Sequence, residues 1–489
     1  MQKPNILFIM ADQMTACALS MYGTGQAKTP ALDALAARGI RFQNAYCNFP
    51  LCGPSRQSMM SGRLPSRCRA FDNATMLASD TPTFAHYLAA AGYRTCLSGK
   101  MHFVGPNQLH GFHERLTTDV YPSDFAWTPD WTAALGEATF QNMDNIFSAG
   151  RCARSMQLDY DEDVAYQAER WLFDTARRDD DAPWMLTVSF THPHDPYQAT
   201  SDFWDMYNHD DIALPRVGKM DDDDLDAHSR RLRQHYSLDD QDVSPDAMRK
   251  MRHGYYAAIS YVDAKVDRLL QVLEDCNQTE NTIVMFTSDH GDMMGERGLF
   301  YKKCFFEWAS RVPLIMAGPG IEPDVVDRPV SLVDILPTLC DLGGVQPLAC
   351  DGRSLLRELD QPVFAEMLSE GVTAPAFMLR DGDFKLLWAQ ADPPVLYDLA
   401  NDPDEQYNLA QDPKHKATLN RLITLARSTW DSDALRQDVI DSQARRRLLR
   451  AAGVAGWDFA PDLSMKDRYV RAGKWTTEVE ASCFLAPKS

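Results

Sequence analysis

The stretch NILFIMADQ at residues 5–13 decides the fold, because a short apolar, β-prone run ends there in polar side chains. Two further uninterrupted apolar runs follow much later in the chain, WMLTVSF at 184–190 and TIVMFT at 282–287. Such runs are typical of strands in a parallel sheet that is covered on both faces. A long helical pattern over 248–276 supplies a crossover before the third run. The sequence therefore predicts an α/β fold with a large, mostly parallel sheet sandwiched by helices.

The composition is that of a large, folded, acidic protein. The chain has 489 residues, a net charge of −20 and 45% hydrophobic residues, which is enough to build a sizeable core. The acidic balance argues against a nucleic-acid partner, because phosphate backbones require a basic surface. No apolar run approaches the roughly 18 residues that span a bilayer, and the run at 6–11 is too short for a secretion signal. We therefore expect no membrane partner and a cytoplasmic location.

The pattern of the sequence changes near residue 361, which predicts two units and a tail. Residues 1–360 alternate between strand and helix patterns and form the large α/β domain. Residues 361–435 contain short strand-like pieces and one helical pattern, and we expect a smaller α+β subdomain. Residues 436–489 are charged with isolated aromatic residues. We expect them to form an extended tail, either a solvated arm or, as we favour, an oligomer contact.

One of the eleven cysteines stands out from the others. The cysteines are scattered without the spacing of a metal site or a disulfide framework, so most are expected to be reduced core residues. Cys52, however, lies in PLCGPSR at 50–56, and polar segments after the predicted strands accompany it. Open α/β sheets place their ligands at such strand ends. These segments are Asp12-Gln13, SGKMH at 98–102, THPHDP at 191–196, SDHGD at 288–292 and GLFYK at 298–302.

With these segments in this order, the chain resembles the formylglycine-dependent sulfatases of the alkaline phosphatase superfamily. The resemblance covers residues 3–342 and continues into the smaller subdomain through LYDLANDP at 396–403. It implies that a formylglycine-generating enzyme oxidises the cysteine of the Cys-X-Pro-Ser-Arg motif, here Cys52. It further implies that the metal-bound gem-diol of formylglycine attacks the sulfur of a small sulfate monoester and releases the alcohol and sulfate.

Two aspartates at neighbouring strand ends predict a site for one divalent metal ion. The carboxylates of Asp12 and Asp289 would repel each other unless a cation lay between them. Many sulfatases carry Asp-Asp and Asp-Asn where this chain has Asp12-Gln13 and Asp289-His290. Because imidazole suits Mn²⁺ as well as Ca²⁺, both ions stay open. We expect Gln13 to be a weaker ligand or a hydrogen-bonding residue, and the modified Cys52 to complete the set.

The resemblance also implies roles for five basic side chains. Arg56 would hold the diol, and His102 would act as the base in the step that expels sulfate. Lys100, Lys302 and His194 would clamp the sulfate and the leaving oxygen, stabilising charge as it develops. Lys303 is the alternative to Lys302, and His192 is the alternative to His194.

Among sulfatases, the chain most resembles bacterial choline sulfatases. The similar segments are FDNA at 71–74, LTTDVYPSDFAWTPDW at 116–131, ERGL at 296–299 and FFE at 305–307. A quaternary ammonium group binds aromatic faces, so Trp127 and Trp131 are expected to contact choline, and Asn73 the sulfate ester. The alternative is that the two tryptophans only pack beneath a lid.

Two other functions stay open. The tail is only loosely similar to that of choline sulfatases, so a broad-specificity arylsulfatase or phosphonate monoester hydrolase of the same superfamily is the first alternative. Lys100 and His102 favour the sulfatase branch. The second alternative is a non-catalytic, metal-bound protein in which Cys52 stays a thiol. We also expect a homo-oligomer, either a dimer or a tetramer.

Overall fold

The computed structural model describes residues 3–23, 25–133, 143–358, 360–453 and 484–485. Its strands are β1 (Asn5–Ala11), β2 (Ile40–Phe42), β3 (Ala45–Tyr46), β4 (Arg94–Gly99), β5 (Glu114–Arg115), β6 (Gly150–Arg154), β7 (Trp184–Ser189), β8 (Gln198–Ala199), β9 (Thr282–Ser288), β10 (Arg311–Val312), β11 (Leu314–Ala317), β12 (Asp324–Val326), β13 (Val330–Ser331), β14 (Val363–Met367), β15 (Ala376–Asp381), β16 (Phe384–Ala389), β17 (Val395–Asp398) and β18 (Phe484–Leu485).

The α-helices are distributed along the whole described chain. They are α1 (Pro30–Ala37), α2 (Cys52–Ser61), α3 (Pro65–Cys68), α4 (Phe84–Ala90), α5 (Asp144–Phe147), α6 (Met156–Ala176), α7 (Ser201–Trp204), α8 (Ala227–His235), α9 (Pro245–Asp275), α10 (Glu307–Ser310), α11 (Ile335–Gly343), α12 (Lys416–Thr429) and α13 (Ser432–Ala451).

The largest sheet has eight strands in the order β12-β2-β11-β9-β1-β7-β4-β5. The three apolar runs are neighbours in it, since β1 pairs in parallel with both β7 and β9 and Ile9 aligns with Val188 and Phe286. Only β11 runs antiparallel to its neighbours. The predicted, mostly parallel sheet is confirmed, and the carboxyl ends of β1, β7 and β9 meet at one edge.

Helices cover both faces of this sheet, which explains why its central strands are apolar throughout. All seven residues of β1 are buried. Leu7 and Ile9 pack into a core with residues of α1, α6 and α9. Phe8 and Met10 point the opposite way, into a second core with residues of α2, α4 and α11. Successive side chains of β1 therefore pack alternately into two different cores.

A smaller unit follows the large domain. Strands β14 to β17 form a four-stranded antiparallel sheet. Leu419, Leu422 and Ala426 of α12 lie in a third core with residues of this sheet. The expected α+β subdomain is confirmed.

The segment expected to be a tail begins as a helix. Helix α13 crosses the expected boundary at residue 435, and its side chains Val439, Gln443 and Arg446 are buried. Of the rest of the expected oligomer contact, 454–483 and 486–489 lie outside the described residues. Within the described ranges, no helix has the length and apolar character needed to cross a membrane, and the ten cysteines are all free.

Candidate active site

Four side chains that sequence analysis singled out converge at one point beyond the carboxyl edge of the sheet. Asp12 follows β1, Asp289 and His290 follow β9, and Cys52 opens α2. Ligand atoms of all four residues lie within 4.8 Å of one another. The Cys52 Sγ is 3.2 Å from His290 Nε2 and 3.7 Å from Asp12 Oδ1. All four side chains are buried, and two carboxylates and an imidazole directed at one point are a donor set that fits a divalent cation.

Helix α2 brings the residues of the PLCGPSR segment to this point. Leu51 is extended, and the helix begins at Cys52. Residues four apart lie on the same face of a helix, so Arg56 stands directly beside Cys52. The Ser55 hydroxyl donates to the carbonyl oxygen of Asp289 at 2.6 Å, which ties the first turn of α2 to the end of β9.

Arg56 holds the two carboxylates together. Its Nε donates to Asp289 Oδ2 at 2.7 Å and its Nη2 to Asp12 Oδ2 at 3.0 Å. Its Nη1 donates to the carbonyl oxygen of Lys100 at 2.5 Å and to Ser189 Oγ at 2.8 Å. The guanidinium is fully buried. Its planar fork therefore fixes the spacing of the carboxylates that the metal would bind.

Lys100 adds a second buried cation to the site. It directly follows β4, and its Nζ contacts Asp12 Oδ2 and lies 3.8 Å from the ring centre of Tyr121. Burial and the nearby Cys52 raise the pKa of Asp12, but Lys100 and Arg56 outweigh them and lower it to about 2. Burial also opposes ionisation of Cys52, yet the charges of Lys100, Lys302 and His290 hold its pKa well below the usual value. The site is therefore built to hold negative charge.

Lys302 and His194 form a hydrogen-bonded pair next to Gln13. Lys302 Nζ donates to His194 Nε2 at 2.8 Å and also contacts Gln13 Oε1. Burial disfavours the charged lysine, but Cys52 and Asp195 raise the pKa of Lys302 above its usual value. The His194 Nδ1 lies 2.8 Å from the carbonyl oxygen of Asp195, so a proton on Nδ1 leaves Nε2 to accept from the lysine.

Gln13 binds to side chains around the metal ligands. Its backbone NH donates to Asp289 Oδ1 at 3.0 Å. Its Nε2 donates to Asp292 Oδ2 at 2.5 Å and to Asp195 Oδ1 at 3.2 Å, while its Oε1 accepts from Lys302. Both atoms of the amide are thus engaged by neighbouring side chains. This geometry favours the hydrogen-bonding interpretation of Gln13 over that of a metal ligand.

His102 lies next to Cys52, with one ring nitrogen held and the other available. Its Nε2 is 3.0 Å from the carbonyl oxygen of Asn73. A carbonyl can only accept, so Nε2 carries a hydrogen and Nδ1 keeps its lone pair when the ring is neutral. Nδ1 has no hydrogen-bond partner among the described residues. Asp119 Oδ2 accepts from the backbone NH of His102 at 2.5 Å, which fixes the loop carrying it.

The neighbouring residues named as alternatives lie in other environments. His192 Nδ1 is 2.6 Å from Asp161 Oδ2, and its ring packs against Tyr261. Lys303 Nζ is 3.4 Å from His235 Nε2 and lies over the ring of Tyr236. Neither is in the hydrogen-bonded group around Gln13, whereas Lys302 and His194 are.

The three residues expected to contact the substrate lie in two different parts of the structure. The Trp127 ring is half-buried and lies 6.0 Å from the ring of His102, centre to centre. Asn73 is next to Cys52, since its Oδ1 accepts from Gly53 NH at 2.9 Å. Trp131 instead lies in the core of the smaller subdomain, and its Nε1 donates to the carbonyl oxygen of Ser369 at 2.9 Å. Its surroundings match the packing alternative.

Sequence reasoning missed the residues that hold the basic side chains in place. Asp119 fixes the loop of His102, Asp195 contacts His194 and Gln13, and Tyr121 lies against Lys100. The first two are buried carboxylates within otherwise apolar or Pro-rich segments. A carboxylate in such a segment could have been noticed in the sequence. The partner of each carboxylate, however, depends on contacts between distant parts of the chain.

Comparisons with known proteins agree with this geometry. The family model described as sulfatase matches residues 4–345, and one described as the C-terminal part of N-sulphoglucosamine sulphohydrolase matches 295–428. The chain is 44% identical to the choline-sulfatase of Rhizobium meliloti over 96% of each chain. It is 28% identical to an arylsulfatase of Clostridium perfringens, over 86% of this chain and 93% of the relative.

Solved structures show the same architecture. A phosphonate monoester hydrolase from Silicibacter pomeroyi superposes with a TM-score of 0.72 at 25% identity, over 87% of this chain and 95% of the other. The family match spans more than half of the chain, and the residues it contains build the cluster around Cys52. The chain therefore belongs to the sulfatase family, the hydrolases of sulfuric esters.

Proposed function

We propose that this sulfatase hydrolyses choline sulfate to choline and sulfate, with a divalent metal ion and a formylglycine derived from Cys52. The observation that carries the chemistry is the convergence of Asp12, Cys52, Asp289 and His290 at one buried point. The choice of choline rests on the 44% identity to a choline-sulfatase over nearly the whole chain. It is also supported by the aromatic ring of Trp127 beside His102, since aromatic faces attract quaternary ammonium groups.

A metal ion and a formylglycine would supply the reactive centre. Asp12, Asp289 and His290 would hold the metal, and the aldehyde derived from Cys52, once hydrated by water to a gem-diol, would supply the hydroxyl that attacks sulfur. His290 suits a transition ion such as Mn²⁺ as well as Ca²⁺. Titration of metal-free protein with each ion, followed by thermal unfolding, distinguishes them, because the ion that binds the native site raises Tm.

The basic residues of the chain then have separable tasks. Lys100, which contacts Asp12, and Lys302, which contacts Gln13, would neutralise the sulfate oxygens as negative charge develops. The Lys302–His194 pair, at 2.8 Å, would bind the oxygen of the departing alcohol. His102 holds a hydrogen on Nε2 and would take up a proton at Nδ1.

The substrate is tested by comparing three esters. We expect kcat/KM for choline sulfate to exceed that for an aryl sulfate and for a phenyl phosphonate ester. A Trp127→Leu variant should raise KM for choline sulfate at least tenfold and leave the aryl sulfate within a few-fold, because only choline loses a cation–π contact. If wild-type protein turns over the aryl ester equally well, the broad-specificity alternative replaces the choline proposal.

The modification of Cys52 is tested by intact-protein mass. Protein made together with a formylglycine-generating enzyme should lose about 18 Da relative to the unmodified chain, the difference expected for conversion of a thiol into the aldehyde of a covalent catalyst. An unchanged mass would favour the non-catalytic alternative.

We further propose a homo-oligomer, a dimer or tetramer, that works in the cytoplasm. Leu448 and Leu449 are exposed on α13 and provide an apolar surface for a second copy. The free thiols of the ten described cysteines are in keeping with a reducing compartment. Sedimentation of the full chain measures the size of the assembly, and a monomer would contradict this part.

A further inference from the structure

Helix α13 contacts two loops that border the candidate site. Its Arg446 lies 374 positions after Asp72, its partner in the first loop. The loops are 71–75, which contains Asn73, and 125–131, which contains Trp127. Three α13 residues reach them from one face of the helix, at a spacing of three and four: Gln443, Arg446 and Arg450. That spacing keeps the three side chains in line along the helix.

The strongest of these contacts is a buried, two-pronged ion pair. Arg446 Nη1 donates to Asp72 Oδ1 at 2.5 Å, and Nη2 donates to Asp72 Oδ2 at 2.7 Å. Asp72 is fully buried and Arg446 is 6% exposed. Such charge-assisted pairs fix both distance and orientation. Loss of one partner would leave the other as a buried, unpaired charge.

Asp72 in turn shapes the loop that carries Asn73. Its Oδ1 accepts from Ala74 NH at 2.9 Å and from Thr75 Oγ1 at 3.1 Å, which closes a tight turn over these residues. The turn directs two oxygen atoms of Asn73, the side-chain Oδ1 and the backbone carbonyl oxygen, toward the site. Its Oδ1 accepts from Gly53 NH, and its carbonyl oxygen accepts from His102 Nε2.

The same helix also holds the loop of Trp127 on both sides of that residue. Arg450 Nη1 donates to the carbonyl oxygen of Ala126 at 3.0 Å, and Arg446 Nη1 donates to Thr128 Oγ1 at 3.3 Å. Gln443 Oε1 accepts from the backbone NH of Trp131 at 2.9 Å. One guanidinium, that of Arg446, thus links the loop that orients His102 to the loop that carries Trp127.

We infer that Arg446 is a positioning residue for the sulfatase reaction. Through Asp72 it holds Asn73, whose carbonyl oxygen accepts a hydrogen bond from His102 Nε2 and so fixes the tautomer of that ring. Through Thr128 it holds the loop that carries Trp127. The effect on turnover rests on the proposed function, whereas the effect on the loops does not. Neither Arg446 nor Asp72 touches the metal ligands, so both act through Asn73, His102 and Trp127.

The inference is tested with Arg446→Met, with Asp438→Asn as the matched control. Asp438 lies on the same helix and pairs with Arg69 at 3.3 Å, but both of those side chains are about half exposed. We expect Arg446→Met to lower kcat/KM at least tenfold for any sulfate ester that wild-type protein hydrolyses. The loss should appear in kcat as well as in KM, because displacement of Asn73 moves His102. Asp438→Asn should stay within twofold.

A second variant makes the test independent of simple loss of folding. Arg446→Lys keeps the charge and the helix but not the two-pronged geometry, and it should lower kcat as Arg446→Met does, with a smaller loss of kcat/KM. The double variant Asp72→Asn/Arg446→Met should lose no more activity than the worse single variant, since the two residues act as one unit. Additive losses, or a wild-type kcat in folded Arg446→Lys, would overturn the inference.

Hydrogen exchange separates this inference from the proposed function. In the absence of substrate, backbone amides in 71–75 and 125–131 should exchange at least tenfold faster in Arg446→Met than in wild type or Asp438→Asn. If wild-type protein hydrolyses no sulfate ester, the proposed function fails, but faster exchange in both loops still supports the positioning role. Exchange that is unchanged in both loops refutes it.

Discussion

At the scale of single residues, Arg56 is the side chain on which the largest number of site groups depend. It binds Asp12, Asp289, Ser189 and the carbonyl oxygen of Lys100 with one buried guanidinium. A lysine at this position would keep the charge but could not bridge two carboxylates in a plane. The ligand geometry would then be lost even though the net charge stays the same.

We therefore predict that Arg56→Lys weakens both the metal site and the fold. Breaking a buried pair on one side typically costs about 3–5 kcal/mol, and we expect a loss near the lower end because the charge is kept. The free energy of unfolding, measured with and without added metal, checks this. Arg67→Lys is the matched control, since Arg67 is 47% exposed and pairs with Asp351. Equal stability of the two variants would contradict the role of Arg56.

The positions of site residues were predictable from the sequence where a motif places them close together, and not where the path of the chain brings them together. Cys52 and Arg56 share a helix face, so their proximity follows from their spacing. Asp119 and Tyr121 meet His102 and Lys100 only because the chain after β4 returns to the site. Trp127 and Trp131 were expected in one substrate site, and the local sequence did not indicate that Trp131 packs into the third core with residues of the smaller subdomain.

At the scale of elements, the junction of β4 with β7 positions Lys100. Gly99, the last residue of β4, has φ of +112°. A Cβ on it would lie 2.0 Å from the carbonyl oxygen of Ser189 on β7. The next residue, Lys100, donates its backbone NH to that same oxygen at 3.0 Å. A side chain at position 99 would therefore push Lys100 away from Asp12.

We predict that Gly99→Ala destabilises the protein by about 3 kcal/mol or more, from backbone strain and overlap together. Its kcat should fall as well, because Lys100 moves. Gly92→Ala is the control, since Gly92 has φ of +89° but no atom within 4 Å of its added Cβ; strain alone costs roughly 1 kcal/mol there. Urea unfolding of both variants measures the difference, and similar losses would show that the close approach of β4 to β7 is unimportant.

Element prediction succeeded best for the central strands. The three apolar runs match β1, β7 and β9 to within one residue at each end, because strands buried on two faces have an unbroken apolar signal. Helix α13 was not predicted. Its buried face is apolar at Leu435 and Val439 but polar at Gln443 and Arg446, so its apolar periodicity stops halfway along the helix.

At the scale of the whole molecule, a buried ion network joins the two units. Lys385 of β16 is fully buried, and its Nζ lies 2.9 Å from both Glu307 and Glu405. Glu307 belongs to α10 of the large domain and also pairs with Arg311 at 3.1 Å. The ammonium thus compensates two buried carboxylates, one from each side of the junction.

We predict that Lys385→Met destabilises the junction by about 3 kcal/mol or more, because it leaves buried carboxylates short of a cation. Guanidinium unfolding should then show the smaller unit separating before the large domain. Arg421→Met is the control, since Arg421 pairs with Asp381 on the surface at 56% exposure and such pairs contribute under about 1 kcal/mol. A single unfolding transition with the wild-type midpoint would contradict this assignment.

The chain is acidic overall, yet three cations are buried in its candidate site. The chain carries a net charge of −20, whereas Arg56, Lys100 and Lys302 are buried around the candidate ligands. Composition predicted the acidic protein, and the strand-end motifs predicted the basic pocket. The enclosure of those cations by helices and loops from distant parts of the chain was beyond any local pattern.

Release of inorganic sulfate from choline sulfate tests the central claim most directly. Protein matured by a formylglycine-generating enzyme and loaded with its metal should release sulfate in step with choline. The Cys52→Ala variant should be folded by thermal unfolding and should release sulfate at least 10⁴-fold more slowly, since loss of the covalent nucleophile typically removes that much activity. Sulfate release by Cys52→Ala at the wild-type rate would contradict the account.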